Sequence, residues 1–127
     1  MSVIERLTDI AIKNAKTSNA SKFQMAAVAY RSGGVIAIGV NDRQKSHPRA
    51  KNPTKKIHAE LALVLNASAR GVDLTNTKVL IIRLSQLGTI TMAKPCKPCE
   101  QVLITAGVKK VYYSDRLGKV REMSLGG

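Results

Sequence analysis

The chain has 127 residues, of which 44% are hydrophobic, and its 21 lysine and arginine residues outnumber eight aspartate and glutamate residues to give a net charge of +13. This length and composition are typical of one globular domain and exclude a disordered chain. No apolar run approaches the length of a membrane span, and the charged residues near the N-terminus argue against a signal peptide. We therefore expect a single cytoplasmic domain over residues 1–127.

The first half of the sequence predicts one helix, one β-hairpin and one polar loop. Apolar residues recur at helical spacing over residues 3–16, which predicts an amphipathic helix. Two β-rich runs, Phe23 to Arg31 and Val35 to Val40, are joined by a Ser-Gly-Gly turn and predict a hairpin. Residues 41–53 are polar and contain two prolines, which predicts a loop.

The next segment predicts two helices on either side of a buried strand. The first of these helices should begin near Thr54 and continue to Arg70, where Gly71 ends it. The run from Lys78 to Leu84 is too apolar for an edge strand and predicts a central strand. Ser85 to Pro95 is predicted to be a loop that folds back around Gly88. A third helix should cover Cys96 to Ala106.

The C-terminal residues predict two strands, Val108 to Ser114 and Val120 to Ser124, joined by a short turn. Parallel neighbours need a crossover connection of about a dozen residues or more, and this turn is too short to provide one. The two strands should therefore pair antiparallel. The predicted fold is an α/β three-layer αβα sandwich, with a five-stranded mixed sheet that ends in an antiparallel hairpin.

Two short motifs carry the chemistry, a His-Ala-Glu sequence at residues 58–60 and a Pro-Cys-Lys-Pro-Cys sequence at residues 95–99. Together they offer one imidazole and two thiolates, which are ligands that tetrahedral Zn²⁺ prefers. The fourth position would be left for water, as in catalytic zinc sites, and such a water becomes a nucleophile near neutral pH. The predicted zinc ligands are His58, Cys96 and Cys99.

Glu60 is placed two residues after the histidine, where it would handle protons rather than bind the metal. We expect it to take up protons from the attacking water and to pass them first to a ring nitrogen and then to the leaving ammonia. The backbone N–H groups of Ala59 and Cys96 are predicted to steady the reacting oxygen, because helix N-termini carry partial positive charge. A His-x-Glu motif followed by Pro-Cys-x-x-Cys is the signature of zinc nucleobase deaminases.

Two other interpretations of the cysteines remain open from the residues alone. A structural zinc site would need a fourth protein ligand, and His47 is the only other histidine in the chain. A redox dithiol is a further use of the Cys-x-x-Cys spacing, although it would leave His58 and Glu60 without a role.

The order of motifs and elements, from the first helix to the final hairpin, resembles the cytidine deaminase-like superfamily. This superfamily includes nucleoside, deoxycytidylate, tRNA-adenosine and polynucleotide cytidine deaminases. The resemblance implies that His58, Cys96 and Cys99 bind zinc and that Glu60 moves protons. The antiparallel hairpin resembles the cytidine branch and some toxin and editing deaminases, whereas the free-nucleoside branch usually has a cysteine in place of His58.

Three short strings, at residues 45–48, 57–60 and 93–96, are similar to small deaminase-like proteins encoded by bacteriophages, which would place the chain in the host cytoplasm. The superfamily resemblance also implies that Asn41 contacts the substrate sugar, because the family often places an asparagine at the end of this strand. Lys94 and Pro95, directly before the first cysteine, are predicted to contact the substrate as well.

Basic residues cluster between residues 43 and 56, directly before His58, with no acidic residue among them. This cluster is either a solvated loop or a surface that binds phosphate groups, because a basic excess attracts polyanions. The residues predicted to bind nucleic acid or phosphate are Arg43, Lys45, Arg49, Lys51, Lys55 and Lys56.

Three functions fit these observations. The first, favoured by the basic cluster, is a zinc-dependent deaminase that converts a cytosine-type base to uracil in single-stranded nucleic acid. The second is a deaminase of free (deoxy)cytidine or its nucleotides, and the third is a non-catalytic zinc protein that binds nucleic acid. A scarcity of aromatic residues, three tyrosines and one phenylalanine, counts against base stacking in the first. Members of the superfamily that act on small substrates commonly form oligomers, so a homo-oligomer is a further expectation.

Overall fold

The computed structural model of the protein describes residues 3–18, 23–32, 34–41 and 58–125. Among these residues no helix is long and apolar enough to cross a membrane. The helices and strands, in chain order, are α1 (Val3–Ala15), β1 (Gln24–Arg31), β2 (Gly34–Val40), α2 (Ala59–Ala69), β3 (Lys78–Leu84), β4 (Ile90–Thr91), α3 (Lys97–Thr105), β5 (Lys110–Ser114) and β6 (Val120–Ser124).

The strands form one mixed sheet in the order β2-β1-β3-β5-β6. Strands β3 and β5 are parallel, and the other neighbours in this order are antiparallel. The antiparallel pairing of β5 with β6 confirms the predicted C-terminal hairpin. The predicted count of five strands is wrong by one, because the loop after β3 folds back around Gly88 and adds the two-residue strand β4 beside the end of β3.

Helices cover both faces of the sheet, which confirms the three-layer αβα sandwich. Successive residues of a strand point to opposite faces, and β3 is buried on both. Leu80, Ile82 and Leu84 pack with α1 in one apolar cluster, whereas Val79 and Ile81 belong to the cluster formed with α2 and α3. Strand β3 is therefore the central strand that its apolar sequence predicts, with α1 on one side and the two other helices on the opposite side.

Gly39 brings α2 into direct contact with the backbone of β2. A Cβ atom at this position would lie 2.6 Å from the Cα of Leu63 and would also collide with the Leu63 nitrogen and the Ala59 oxygen. Only glycine leaves room for so close an approach of helix and strand. Because Ala59 is the first residue of α2, this contact fixes the distance between the N-terminus of the helix and the sheet.

Two turns at the same end of the sheet share one design. In the turn after β3, the hydroxyl of Ser85 accepts hydrogen bonds from the backbone nitrogens of Leu87 and Thr89, both at 3.3 Å. In the turn between β5 and β6, Asp115 Oδ1 accepts from the corresponding nitrogens of Leu117 and Lys119 at 2.8 and 2.9 Å. Each turn therefore uses one side chain as its acceptor and leaves a leucine at the exposed tip.

Candidate active site

The N-termini of α2 and α3 meet at the two sequence motifs. His58 is the residue that caps α2, with an extended backbone at φ −74° and ψ 156°, and Cys96 caps α3 with φ −70° and ψ 166°. The prediction that α2 begins near Thr54 and includes His58 is therefore wrong at its start, since His58 precedes the first helical residue. Pro98 fits the first turn of α3 because the N–H that proline lacks has no partner within the helix there.

The three predicted ligands lie together. Nδ1 of His58 is 3.2 Å from the sulfur of Cys99 and 3.9 Å from the sulfur of Cys96, and all three ligand atoms lie within 4.8 Å of one another. Zinc–nitrogen bonds of about 2.0–2.1 Å and zinc–sulfur bonds of about 2.3 Å at tetrahedral angles place the nitrogen about 3.6 Å from each sulfur. The two measured distances bracket this value, so these residues fit a zinc ion.

Glu60 interacts with His58 and Cys99 of this cluster and is almost completely buried, with 2% of its surface exposed. Within the described part of the chain, its Oε1 atom has no hydrogen-bond partner. Burial raises the pKa of its carboxyl group, while its own backbone N–H, the nearby imidazole of His58, a hydrogen bond with Cys99 and the charge of Arg83 act in the opposite direction. Burial of a carboxylate oxygen without a partner costs free energy, and a proton donor or a cation bound next to it would reduce that cost.

The thiol of Cys99 is buried, whereas Cys96 is exposed. Burial raises the pKa of the Cys99 thiol, and the neighbouring charge of Glu60 raises it further. A coordinating metal ion has the opposite effect, since it deprotonates a thiol ligand outright. The electrostatics of this pair therefore suit a site that holds a divalent cation.

The three residues predicted to bind the substrate have different environments. Asn41 follows β2, and its amide donates to the carbonyl oxygen of Phe23 at 2.9 Å and accepts from the nitrogen of Met25 at 2.8 Å. Its side chain thus ties the end of β2 to the start of β1. In the segment before Cys96, Lys94 is exposed and Pro95 is buried. The assignment of substrate contacts to these three residues stays a prediction.

The basic cluster of residues 43–56 lies outside the described residues, and so does His47. Two hypotheses therefore stay predictions from the sequence. One is that His47 is a fourth zinc ligand. The other is that nucleic acid or phosphate is bound by Arg43, Lys45, Arg49, Lys51, Lys55 and Lys56.

Arg83 is a residue of this region that the sequence does not single out. Its guanidinium carbon lies 3.8 Å from the centre of the Phe23 ring, and its charge acts on the carboxylate of Glu60. The sequence does contain one indication of its importance, because a charged side chain in an apolar central strand needs a partner or a function. Only the folded structure brings the charge of this arginine within range of Glu60, the residue predicted to move protons.

Residues 1–115 match the sequence profile of the family described as "Cytidine and deoxycytidylate deaminase zinc-binding region". This match covers most of the chain and includes both motifs. The chain belongs to this family. It is a zinc-dependent hydrolytic deaminase of the cytidine and deoxycytidylate type, in agreement with the resemblance drawn from the motifs. No curated protein matches the chain.

Solved structures of other deaminases have the same fold. The dCMP deaminase from the cyanophage S-TIM5, in apo form, is 21% identical with a TM-score of 0.69, covering 91% of this chain and 86% of the other. Cytidine deaminase from Burkholderia pseudomallei is 21% identical with a TM-score of 0.71, covering 98% and 93%. Cytidine deaminase from Mycobacterium tuberculosis is 22% identical with a TM-score of 0.64, covering 99% and 93%. These similarities establish the fold of the deaminase.

Proposed function

We propose that this deaminase removes the exocyclic amino group from the cytosine base of a free nucleoside or nucleotide, giving uracil and ammonia. The observation that supports the proposal is the convergence of the ligand set, one imidazole and two thiols within 4.8 Å, with a buried glutamate that has an unpaired oxygen. A structural zinc site has no need of that glutamate, whereas hydrolysis requires a group that moves protons.

Each residue of the site has a part in this reaction. His58, Cys96 and Cys99 would hold zinc, which lowers the pKa of water so that it serves as a nucleophile at neutral pH. Glu60 takes one proton from the attacking water and delivers it to the ring nitrogen beside the amino-bearing carbon. The water oxygen adds to that carbon, Glu60 moves the second proton to the amino group, and the carbon–nitrogen bond breaks to release ammonia.

A free substrate is supported by the scarcity of exposed aromatic rings near the site. Binding of single strands commonly uses aromatic side chains on which successive bases stack. Among the four aromatic residues, Tyr30 is buried, Tyr112 and Tyr113 are half-buried in β5, and only Phe23 has an exposed edge, at 39%. One exposed ring is enough to stack on the single base of a free nucleoside or nucleotide. The solved structures with this fold also include a dCMP deaminase captured with dCMP and dUMP.

Cytosine in single-stranded nucleic acid is the second candidate substrate, and the observation that favours it is the net charge of +13. Such a charge attracts the phosphate backbone whatever the sequence of bases. The same charge would also hold the phosphate of a nucleotide, for which exposed Lys94 is a candidate, so the charge alone does not separate the two.

The test compares the wild type with Glu60→Gln on cytidine, deoxycytidine, their monophosphates, single-stranded DNA and single-stranded RNA. Base conversion is measured by mass spectrometry and zinc content by metal analysis. Glu60→Gln should retain zinc and lose at least about 1,000-fold in turnover, because the carboxylate that moves the proton is gone. Glu5→Gln, on the exposed face of α1 across the sheet, is the matched control and should keep wild-type activity.

The outcomes separate the candidates. Turnover of mononucleotides or nucleosides that depends on Glu60 supports the proposal. Conversion confined to DNA or RNA would transfer the activity to the second candidate. A zinc-loaded protein that is silent on every substrate would contradict both and favour the non-catalytic interpretation.

A further inference from the structure

Two buried side-chain atoms of opposite charge lack partners in the described part of the chain. They are Oε1 of Glu60 and Nε of Arg83, and no other buried side-chain nitrogen or oxygen there is unpaired. Buried polar groups are almost always hydrogen-bonded, so such exceptions need an explanation. The charge of Arg83 acts on the carboxylate of Glu60, so the two groups lie in one region of the protein, where a single bound molecule can meet both.

Arg83 is held in place by its surroundings, while its buried Nε has no partner among the described residues. It lies near the end of β3, opposite Met25 of β1 on one side and Thr91 of β4 on the other. The ring of Phe23 packs against the guanidinium at 3.8 Å, which stabilises the charge away from water. Of the five donors on a guanidinium, one reaches the carbonyl oxygen of Met92, at the long distance of 3.5 Å.

The edge of a cytosine ring matches these two unpaired groups. The ring nitrogen beside the amino-bearing carbon receives a proton from Glu60, and the next ring atom along that edge carries a carbonyl oxygen. This oxygen accepts hydrogen bonds, and Arg83 offers them close to Glu60. We infer that Arg83 is a specificity-determining residue that donates a hydrogen bond to this ring carbonyl while Glu60 acts on the neighbouring nitrogen. The inference rests on the proposed function.

This assignment explains how the site would select among amino-substituted bases. Adenine has the same amino-bearing carbon and adjacent nitrogen, but a C–H group follows where cytosine has a carbonyl. With adenine in the site, the buried donors of Arg83 would stay unpaired, and a site built to hydrogen-bond one group discriminates strongly against a substrate that lacks it. Arg83 would therefore select a pyrimidine that carries the carbonyl.

The first test replaces Arg83 with Met, which has a similar length and no donors. On the cytosine nucleoside or nucleotide that the wild type turns over best, Arg83→Met should lose about 10- to 100-fold in kcat/KM. Arg83→Lys keeps the charge but not the planar fork, and it should recover part of this loss. Arg70→Met, at the exposed C-terminal end of α2, is the matched control and should match the wild type.

The second test changes the carbonyl oxygen itself. The 2-thio analogue of the same substrate carries sulfur, a weaker acceptor, at this position. The wild type should prefer the oxygen substrate by about 10-fold or more, and Arg83→Met should reduce this preference to about 3-fold or less. Because the comparison is a ratio of ratios, the different intrinsic reactivity of the two substrates cancels. A preference that is the same in both proteins would overturn the inference.

A comparison of nucleoside with nucleotide identifies where the acceptor lies. A carbonyl on the base predicts the same loss in Arg83→Met for cytidine and for its monophosphate. A loss confined to the monophosphate would assign Arg83 to the phosphate and overturn the inference. The proposed function is contradicted if the wild type turns over no cytosine substrate. The inference is contradicted if the wild type is active and Arg83→Met has the same kcat/KM. Melting temperatures and zinc content show whether each variant is folded.

Discussion

At the scale of single residues, the three predicted zinc ligands are not equivalent. Cys99 is buried in the first turn of α3 beside Glu60, whereas Cys96 is exposed at the helix cap. A buried ligand is held in one position by the packing around it. Its replacement therefore removes a preorganised donor atom from the zinc site. An exposed ligand at a cap has more freedom to be replaced by water.

We predict that Cys99→Ser binds zinc at least about 100-fold more weakly than the wild type, because even loss of an outer-shell partner costs about 10- to 100-fold. Competition with a chromogenic chelator measures the affinity, and Cys96→Ser should lose less. Glu100→Gln, one residue after Cys99 but outside the ligand set, is the control. An unchanged zinc affinity in Cys99→Ser would remove this residue from the site.

Residue identity alone predicted the ligands but not Arg83. The spacing of His58, Glu60, Cys96 and Cys99 follows a pattern that chemistry requires, and the structure brings the histidine and both thiols together over the glutamate. Arg83 belongs to no motif, and its position beside Glu60 depends on the register of β3 within the sheet. A one-residue change of register would turn this side chain to the face covered by α1.

At the scale of secondary-structure elements, the contact of α2 with β2 positions the N-terminus of α2, and with it His58 and Glu60. We predict that Gly39→Ala lowers the free energy of unfolding by about 1–3 kcal/mol, because the added methyl group collides with the backbone of α2. Urea unfolding measures the change. Gly34→Ala is the matched control in the same strand, since its Cβ would meet only the Arg31 oxygen at an ordinary 3.6 Å. Equal stability of the two variants would contradict the close packing.

The turn between β5 and β6 should make stability depend on pH. A hydrogen bond from Arg121, at 2.8 Å, and backbone N–H groups lower the pKa of Asp115. A carboxyl group whose pKa is lower in the folded state stabilises the fold above its unfolded pKa, about 3.9, and this stabilisation is lost as the pH falls through the folded value. The contribution of Asp115 is therefore present at neutral pH and absent in acid.

We predict that Asp115→Asn melts at a lower temperature than the wild type at pH 7 and that this difference shrinks below a pH of about 3.9. Thermal unfolding over a series of pH values measures it. Ser85→Ala removes the acceptor of the matching turn after β3, which does not ionise, so its effect should be the same at each pH. A difference for Asp115→Asn that does not vary with pH would show that the charge has no part in the turn.

At the scale of the whole molecule, a net charge of +13 favours the attraction of polyanions. We predict that replacing Lys51, Lys55 and Lys56 with Ala weakens binding of single-stranded nucleic acid and reduces the slope of log K against log salt concentration by about 2. Fluorescence anisotropy at several salt concentrations measures the slope. Unchanged binding would assign these lysines to a solvated surface.

A matched control removes the same charge elsewhere. Lys13 is exposed on α1, across the sheet from the ligand cluster, Lys16 is exposed directly after that helix, and Lys78 is exposed at the start of β3. If binding responds to total charge alone, this second triple variant should weaken it as much as the first. A larger effect of the first variant would locate the interaction near His58. Assembly into a homo-oligomer stays a prediction from the sequence.

The zinc chemistry and the layered architecture of this protein could be predicted from local features of its sequence. A metal site requires particular donor atoms, and an apolar strand between short connections leaves few ways to build a sheet, so motifs and periodicity predicted the zinc ligands, the three layers and the C-terminal hairpin. Features that depend on the distance between remote residues follow only from the folded structure. The start of α2, the added strand β4 and the position of Arg83 result from how segments pack, so only the folded chain brings the guanidinium within electrostatic range of Glu60.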